Sequence, residues 1–127
     1  MKNIKIANIN VSVKGLFIKW VELTRPFHKL TNQQQKVLAL FLFHHYSLKK
    51  EITNDKILFK ILFDYEVKQK IKDELSIKDS VFQNIMYFFR KKGIIIDGRI
   101  SNNYIPVLNK DATNFKLIFN FNIVNDG

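Results

Sequence analysis

Residues 75–96 read LSIKDSVFQNIMYFFRKKGIII, and this stretch decides the fold. It opens on the end of one helix, turns over Ser76, Ile77 and Lys78, and continues as a second helix from Asp79. Along that helix Phe82, Met86 and Phe89 form one apolar stripe, and Val81, Ile85 and Phe88 form the next, both at three-to-four spacing. Lys91, Lys92 and Gly93 stop it, because glycine readily supplies the left-handed residue on which many helices end. Residues 94–96 are three isoleucines and read as a strand. Asp97 and Gly98 form a tight turn, and residues 99–105 are the returning strand, which Pro106 ends. The order is helix, turn, helix, strand, hairpin.

Upstream, Thr31 with Gln34 three residues later is a capping box, and the helix it starts runs through Val37, Leu38, Phe41 and Leu42 to about Tyr46. Its wide apolar stripe makes it the expected central helix. Asn54 or Asp55 caps another helix, with Ile57, Leu58, Ile61 and Leu62 expected on one side. A third spans about residues 66–75, held by Val67, Ile71 and Leu75 at four-residue spacing. Towards the N-terminus Ile4 and Ile6, then Ile9, Val11 and Val13, recur at period two with a phase slip near Ala7. After Gly15 the run continues through Leu16, Ile18 and Trp20 to Leu23, so residues 4–23 are expected as a β-hairpin or bulged strand. Residues 24–29, with Pro26, break the pattern. Near the other end Phe115, Leu117, Phe119, Phe121 and Ile123 alternate with mostly polar residues, the pattern of a half-buried strand.

A chain of 127 residues with 46% hydrophobic residues and 12 Phe is expected to form one domain with a real core. The absence of cysteine excludes disulfides and thiolate metal sites. His44 and His45 are adjacent and point about 100° apart on a helix, so they do not ligate one ion from one face; neither a metal nor a cofactor is implied. The longest apolar run, residues 37–43, is too short to span a bilayer, and the N-terminal residues alternate polar and apolar without a secretory signal. The expectation is a soluble protein with no membrane partner, in the cytoplasm or inside a phage particle. The net charge of +10 points to a polyanion, yet residues 1–50 hold nine Lys or Arg against Glu22 alone, and residues 51–127 hold twelve against ten acids. The 18 Lys, 17 Ile and 13 Asn also suit an AT-rich genome, bacterial or phage.

On the helix that starts at Asp79, Ser80, Gln83, Asn84, Tyr87 and Lys91 form the polar stripe. Gln83 and Asn84 are suited to paired hydrogen bonds with adenine, and Ser80 and Tyr87 to phosphate contacts. Arg90, Lys91 and Lys92 add charge for the backbone, and Arg99 on the hairpin is placed for an adjacent minor groove. Lys2, Lys5, Lys14 and Lys19 form a candidate basic arm. The bland account is that any surface helix carries a polar stripe, and that Val81, Ile85 and Phe88 pack on a neighbour.

From Ile71 and Leu75, through Ile77, Phe82, Met86 and Phe89, to the Lys91-Lys92-Gly93-Ile94-Ile95 ending, the spacing resembles that of winged helix-turn-helix regulators and replication initiators. The resemblance covers about residues 31–108. It implies an α+β fold, a core of about four helices plus a wing hairpin. Residues 1–24 as an N-terminal hairpin and residues 114–124 as a C-terminal strand lie outside the family pattern. It further implies a non-catalytic protein that binds duplex DNA, a phage or plasmid regulator of transcription or replication. Two departures stand out: Phe88-Phe89 replaces the usual polar–apolar pair, and Asp79 puts an acid at the start of the reading helix. The alternative is a virion structural protein, a connector, ring or head-completion subunit, that assembles with other subunits or copies of itself through its terminal strands. Enzymatic chemistry finds no motif: the four glycines (Gly15, Gly93, Gly98, Gly127) make no phosphate loop, no serine sits in a nucleophile elbow, and Asp55, Asp64, Glu66, Asp73 and Glu74 fall at helix ends as solvated or capping groups.

Overall fold

The central helix begins where Thr31 caps it. The Thr31 hydroxyl accepts from the Gln34 N–H at 3.3 Å, and the Gln34 side chain accepts from the Thr31 N–H at 3.0 Å. In the computed structural model, which describes residues 5–108 and 113–125, the described residues form six helices and one two-stranded antiparallel sheet, an α+β arrangement dominated by helix. The order is α1 (Val13–Leu23), α2 (Arg25–His28), α3 (Asn32–Lys49), α4 (Asp55–Leu62), α5 (Tyr65–Leu75), α6 (Asp79–Lys92), β1 (Ile95–Ile96) and β2 (Arg99–Ile100), with a 3₁₀ turn at Asn102–Tyr104. Val37 to Leu42 are six consecutive buried residues of α3. A helix buried on all sides needs neighbours on all sides, and α1, α4 and α5 all pack on it.

The N-terminal hairpin expected over residues 4–23 does not form. Residues 5–12 belong to no helix or strand, and α1 takes the rest. The Ser12 hydroxyl accepts from the Gly15 N–H at 3.0 Å and so starts the helix. Phe17 and Val21, four apart, are its buried face, and Trp20 lies half-buried beside them; this helical spacing overrides the alternation of Leu16, Ile18 and Trp20. Pro26 does not simply break the chain, because it stands in the first turn of α2, where its missing N–H costs nothing. Lys29, left-handed at φ 56°, ends that turn.

His28 and Gln35 are the polar residues at the α1–α2–α3 junction, and both are buried and satisfied. The His28 Nε2–H donates to the Val21 carbonyl at 2.6 Å, while Nδ1 accepts the Leu30 N–H at 2.9 Å. Those two bonds fix the neutral tautomer. The Gln35 amide donates to the Leu30 carbonyl at 2.9 Å, so both backbone polar groups of Leu30 are satisfied by buried side chains.

From α4 to the Gly93 stop the reading and the structure agree closely, with one change of face. Asn54 caps α4 through the Ile57 N–H at 3.0 Å. Its buried residues are Leu58, Phe59 and Leu62, while Ile57 and Ile61 are exposed. Residues 64–93 then run as α5, turn and α6. Ser76 adopts φ 53°, and the Ile77 N–H reaches back to the Lys72 carbonyl at 3.0 Å, a wrapped helix end that buries Ile77. Gly93, at φ 82°, ends α6 in the same way, with the Ile94 N–H donating to the Phe89 carbonyl at 2.9 Å. Phe82, Ile85, Met86 and Phe89 are the buried face of α6, each contributing about 1.5–3 kcal/mol by leaving water.

The hairpin is shorter than the sequence pattern suggests. Ile95 pairs with Ile100 and Ile96 with Arg99, around Asp97 and Gly98 at φ 53° and 71°, the paired positive angles of a tight hairpin turn. The returning strand expected to Ile105 stops at Ile100, because Ser101 turns the chain into the 3₁₀ turn and the Trp20 indole N–H captures the Tyr104 carbonyl at 2.9 Å. The C-terminal strand expected over residues 114–124 is also absent: residues 113–125 pair with no described strand. A strand needs a paired edge, and among the described residues nothing pairs with this segment.

Candidate nucleic-acid interface

The packing of α6 decides which of its side chains are free. With Phe82, Ile85, Met86 and Phe89 turned inward and Val81 and Phe88 half-buried, the residues left to solvent are Asp79, Ser80, Gln83, Asn84, Tyr87, Arg90, Lys91 and Lys92. Every residue assigned to the reading stripe is therefore exposed, on one helix of 14 residues. Such a helix is about 21 Å long and about 10–12 Å across, the width of a DNA major groove.

Each end of this face carries its own electrostatics. At the start, the Lys72 ammonium lies 2.9 Å from the Asp79 carboxylate and holds it below the usual carboxylate range, and the Gln83 amide adds a smaller contribution. The acid that would repel a phosphate is therefore already neutralised by a lysine from α5. The sequence reading missed Lys72. Its position seven residues before Asp79 across the turn was the available signal. At the far end, Arg90, Lys91 and Lys92 stand in the last turn, where the helix dipole favours cations. Lys91 lies over the Tyr87 ring at 6.0 Å and Lys92 over the Phe88 ring at 5.7 Å, contacts that steer both ammonium groups without removing them from solvent.

Arg99 and the lysines named as an arm do not join this face. Arg99 is exposed on the hairpin, but its guanidinium lies 5.8 Å from the centre of the Phe59 ring of α4. Lys2 lies outside the described residues, and Lys5 is exposed on an irregular segment. Lys14 and Lys19 sit on α1 rather than on an arm. Lys14 bridges Glu74 of α5 at 3.1 Å and covers the Phe43 ring, while Lys19 bridges Glu22 at 3.5 Å. Helix formation over residues 13–23 is the reason, since it gives both lysines acidic neighbours.

The histidines serve packing. His45 is buried with its ring 5.1 Å from that of Phe59, and His44 packs edge-on against Phe43. Burial is the main cause that lowers both from the ordinary imidazole pKa; Lys70 and Lys14 add to it at His44 against Glu74, and Lys49 adds to it at His45 against Asp55. Among the described residues no three His, Asp or Glu side chains converge as a metal site requires, and no helix is long and apolar enough to cross a membrane. A cleft of about 300 Å³ lies between α1, α2 and the C-terminal segment, lined by Trp20, Phe27, His28, Tyr104, Leu117 and Phe119 among others. Comparisons with protein-family models, with curated proteins and with solved structures give no match to this chain.

Proposed function

We propose that this protein binds duplex DNA without catalysis, in the manner of a winged helix-turn-helix, with α6 as the helix that enters the major groove and the β1–β2 hairpin as its wing. The observation that carries the reading is the outer face of α6. Its polar residues are exposed as one stripe between a neutralised acid and a cluster of three cations. Gln83 and Asn84 would meet base edges, Ser80 and Tyr87 the phosphates nearby, and Arg90, Lys91 and Lys92 the backbone beyond them. The short turn at Ser76 to Lys78 supports this, since the Ile77 N–H bonds the Lys72 carbonyl and the Lys72 ammonium bonds Asp79, which ties the start of α6 to the end of α5.

The test is a titration of labelled duplex fragments with the parent and with Gln83→Ala/Asn84→Ala. The expected result is duplex binding at low salt whose preference among sequences is lost in the variant, at about 1–3 kcal/mol for each base pair misread. Absence of duplex binding by the parent at low salt refutes the proposal.

A further inference from the structure

Beyond the 3₁₀ turn, the C-terminal segment bears an apolar face that only half fits the body of its own chain. Burial alternates along it: Phe115 and Leu117 are half-buried while Lys116 and Ile118 face solvent, the period-two signature of extended backbone. Phe115 meets the Trp20 ring edge-on at 5.9 Å, and the stretch from Leu117 to Asn120 closes one side of the cleft that holds Trp20, Phe27 and Tyr104. Two residues further, the same face has nothing beneath it. Phe121 is 85% exposed and Ile123 97%. No backbone hydrogen bond joins residues 113–125 to any described residue, so both edges of the segment are open.

We propose that this segment pairs antiparallel with the same segment of a second copy, about a two-fold axis through Phe119. In that register Phe119 faces Phe119, Leu117 faces Phe121, and Phe115 faces Ile123. Each overhanging side chain of one copy then lies beside a side chain seated on the body of the other. Registers centred on Leu117 or Phe121 leave members of the face unpaired. On the opposite side Lys116 falls beside Asn122 and Ile118 beside Asn120, so the one charge in the segment is not set directly against its copy. A second copy is the occupant because the seated half of the face is the complement that the overhanging half lacks, and two-fold pairing delivers it reciprocally. The ribbon so formed is not left to stand alone as a bare two-stranded sheet, since each copy's body covers half of its apolar face. The inference goes beyond DNA binding and is independent of what α6 contacts.

The test uses the full chain. Light scattering or sedimentation across a wide concentration range is expected to show a concentration-dependent doubling of mass. Phe121→Ser/Ile123→Ser, which alters only overhanging residues, is expected to stay monomeric with the parent's helical circular dichroism. Because the chain has no cysteine, single thiols test the register. Phe119→Cys is expected to form a disulfide-linked dimer on mild oxidation, since directly opposed Cβ atoms lie about 4.5–5.5 Å apart. Ile118→Cys is expected to cross-link far more slowly, because its counterpart is diagonal, at about 7–8 Å. The proposal is overturned by a parent that stays monomeric throughout, by a dimer that survives the double serine variant, by Ile118→Cys cross-linking as readily as Phe119→Cys, or by an open ladder of higher masses.

Discussion

Replacing His28 by alanine is expected to cost about 3–5 kcal/mol and to remove part of the protein's acid sensitivity. The imidazole is 1% exposed and spends both nitrogens, donating to the Val21 carbonyl and accepting from the Leu30 N–H. Truncation leaves a buried N–H with no acceptor and a carbonyl short of one donor, at about 1–3 kcal/mol each, and adds a cavity. Against a total stability of about 5–15 kcal/mol this is a large fraction. The pH dependence follows from the same bonds. Protonation of Nδ1 would set an N–H against an N–H. Burial lowers the imidazole pKa, Lys92 and Arg25 lower it further, and the Val21 hydrogen bond opposes them. A histidine whose folded pKa lies below its unfolded value of about 6.5 contributes stability that is complete above that value and is lost as pH falls beneath it, because the unfolded chain binds more protons. Between about pH 7.5 and about pH 5.5 the loss from His28 has a ceiling of about 1.4 kcal/mol. Urea unfolding followed by far-ultraviolet circular dichroism at those two pH values measures both effects. His44 and His45, lowered in the same direction, leave a residual slope in the variant. A variant within about 1 kcal/mol of the parent at the higher pH, or one with the parent's full pH dependence, refutes the argument.

Three cations at the end of α6 set the expected salt dependence of duplex binding: neutralising three phosphates gives a slope of log affinity on log salt of about −2.7, or about fortyfold weaker binding on a fourfold rise in salt. Arg90→Gln/Lys91→Gln/Lys92→Gln should abolish that share, and an unchanged slope in fluorescence-anisotropy titrations would place the phosphate contacts elsewhere. Ser76 is a non-glycine residue at φ 53°, so Ser76→Gly is expected to stabilise by about 1 kcal/mol, read as a higher urea midpoint; a lower midpoint would show that its left-handed geometry is not the strained element.

Legibility in the sequence tracked how local the governing interaction was. The capping box, the α6 boundaries and the Gly93 stop depend on residues within five of one another, and each stands where the spacing put it. The hairpin turn is equally local, at Asp97 and Gly98. The N-terminal strands failed because period two and period 3.6 both fit residues 13–23. What decides between them is Phe17 and Val21 packing on α3, a contact across the chain. The α4 face was misassigned for the same reason: Phe59 rather than Ile57 or Ile61 meets α3 and its His45 ring. On the candidate interface, the stripe from Ser80 to Lys91 was visible because exposure on a helix follows from which residues are apolar. The pairing of Lys14 with Glu74, of Lys19 with Glu22 and of Arg99 with the Phe59 ring was not visible, since it rests on tertiary neighbours or on a helix the pattern had hidden.

Gln83 and Asn84 matter most because stability does not depend on them. The inward face of α6 is complete with Phe82, Ile85, Met86 and Phe89, and the N-terminal acid is neutralised by Lys72 from the neighbouring helix. Alanine is also the better helix former at both positions. Gln83→Ala/Asn84→Ala should therefore leave the unfolding free energy within about 0.5 kcal/mol of the parent, as expected for exposed positions whose one side-chain contact, Gln83 with the exposed Asp79 carboxylate, is secondary to Lys72. The last-turn cations are different, because their charges also favour the helix terminus and a modest loss on neutralising them has a structural explanation. A function built on α6 thus predicts a specific asymmetry: changes near its start alter recognition at constant stability, and changes near its end alter both. If Gln83→Ala/Asn84→Ala lowered the unfolding free energy markedly instead, those side chains would belong to a packing interface, and the face would be read as a surface that another protein covers.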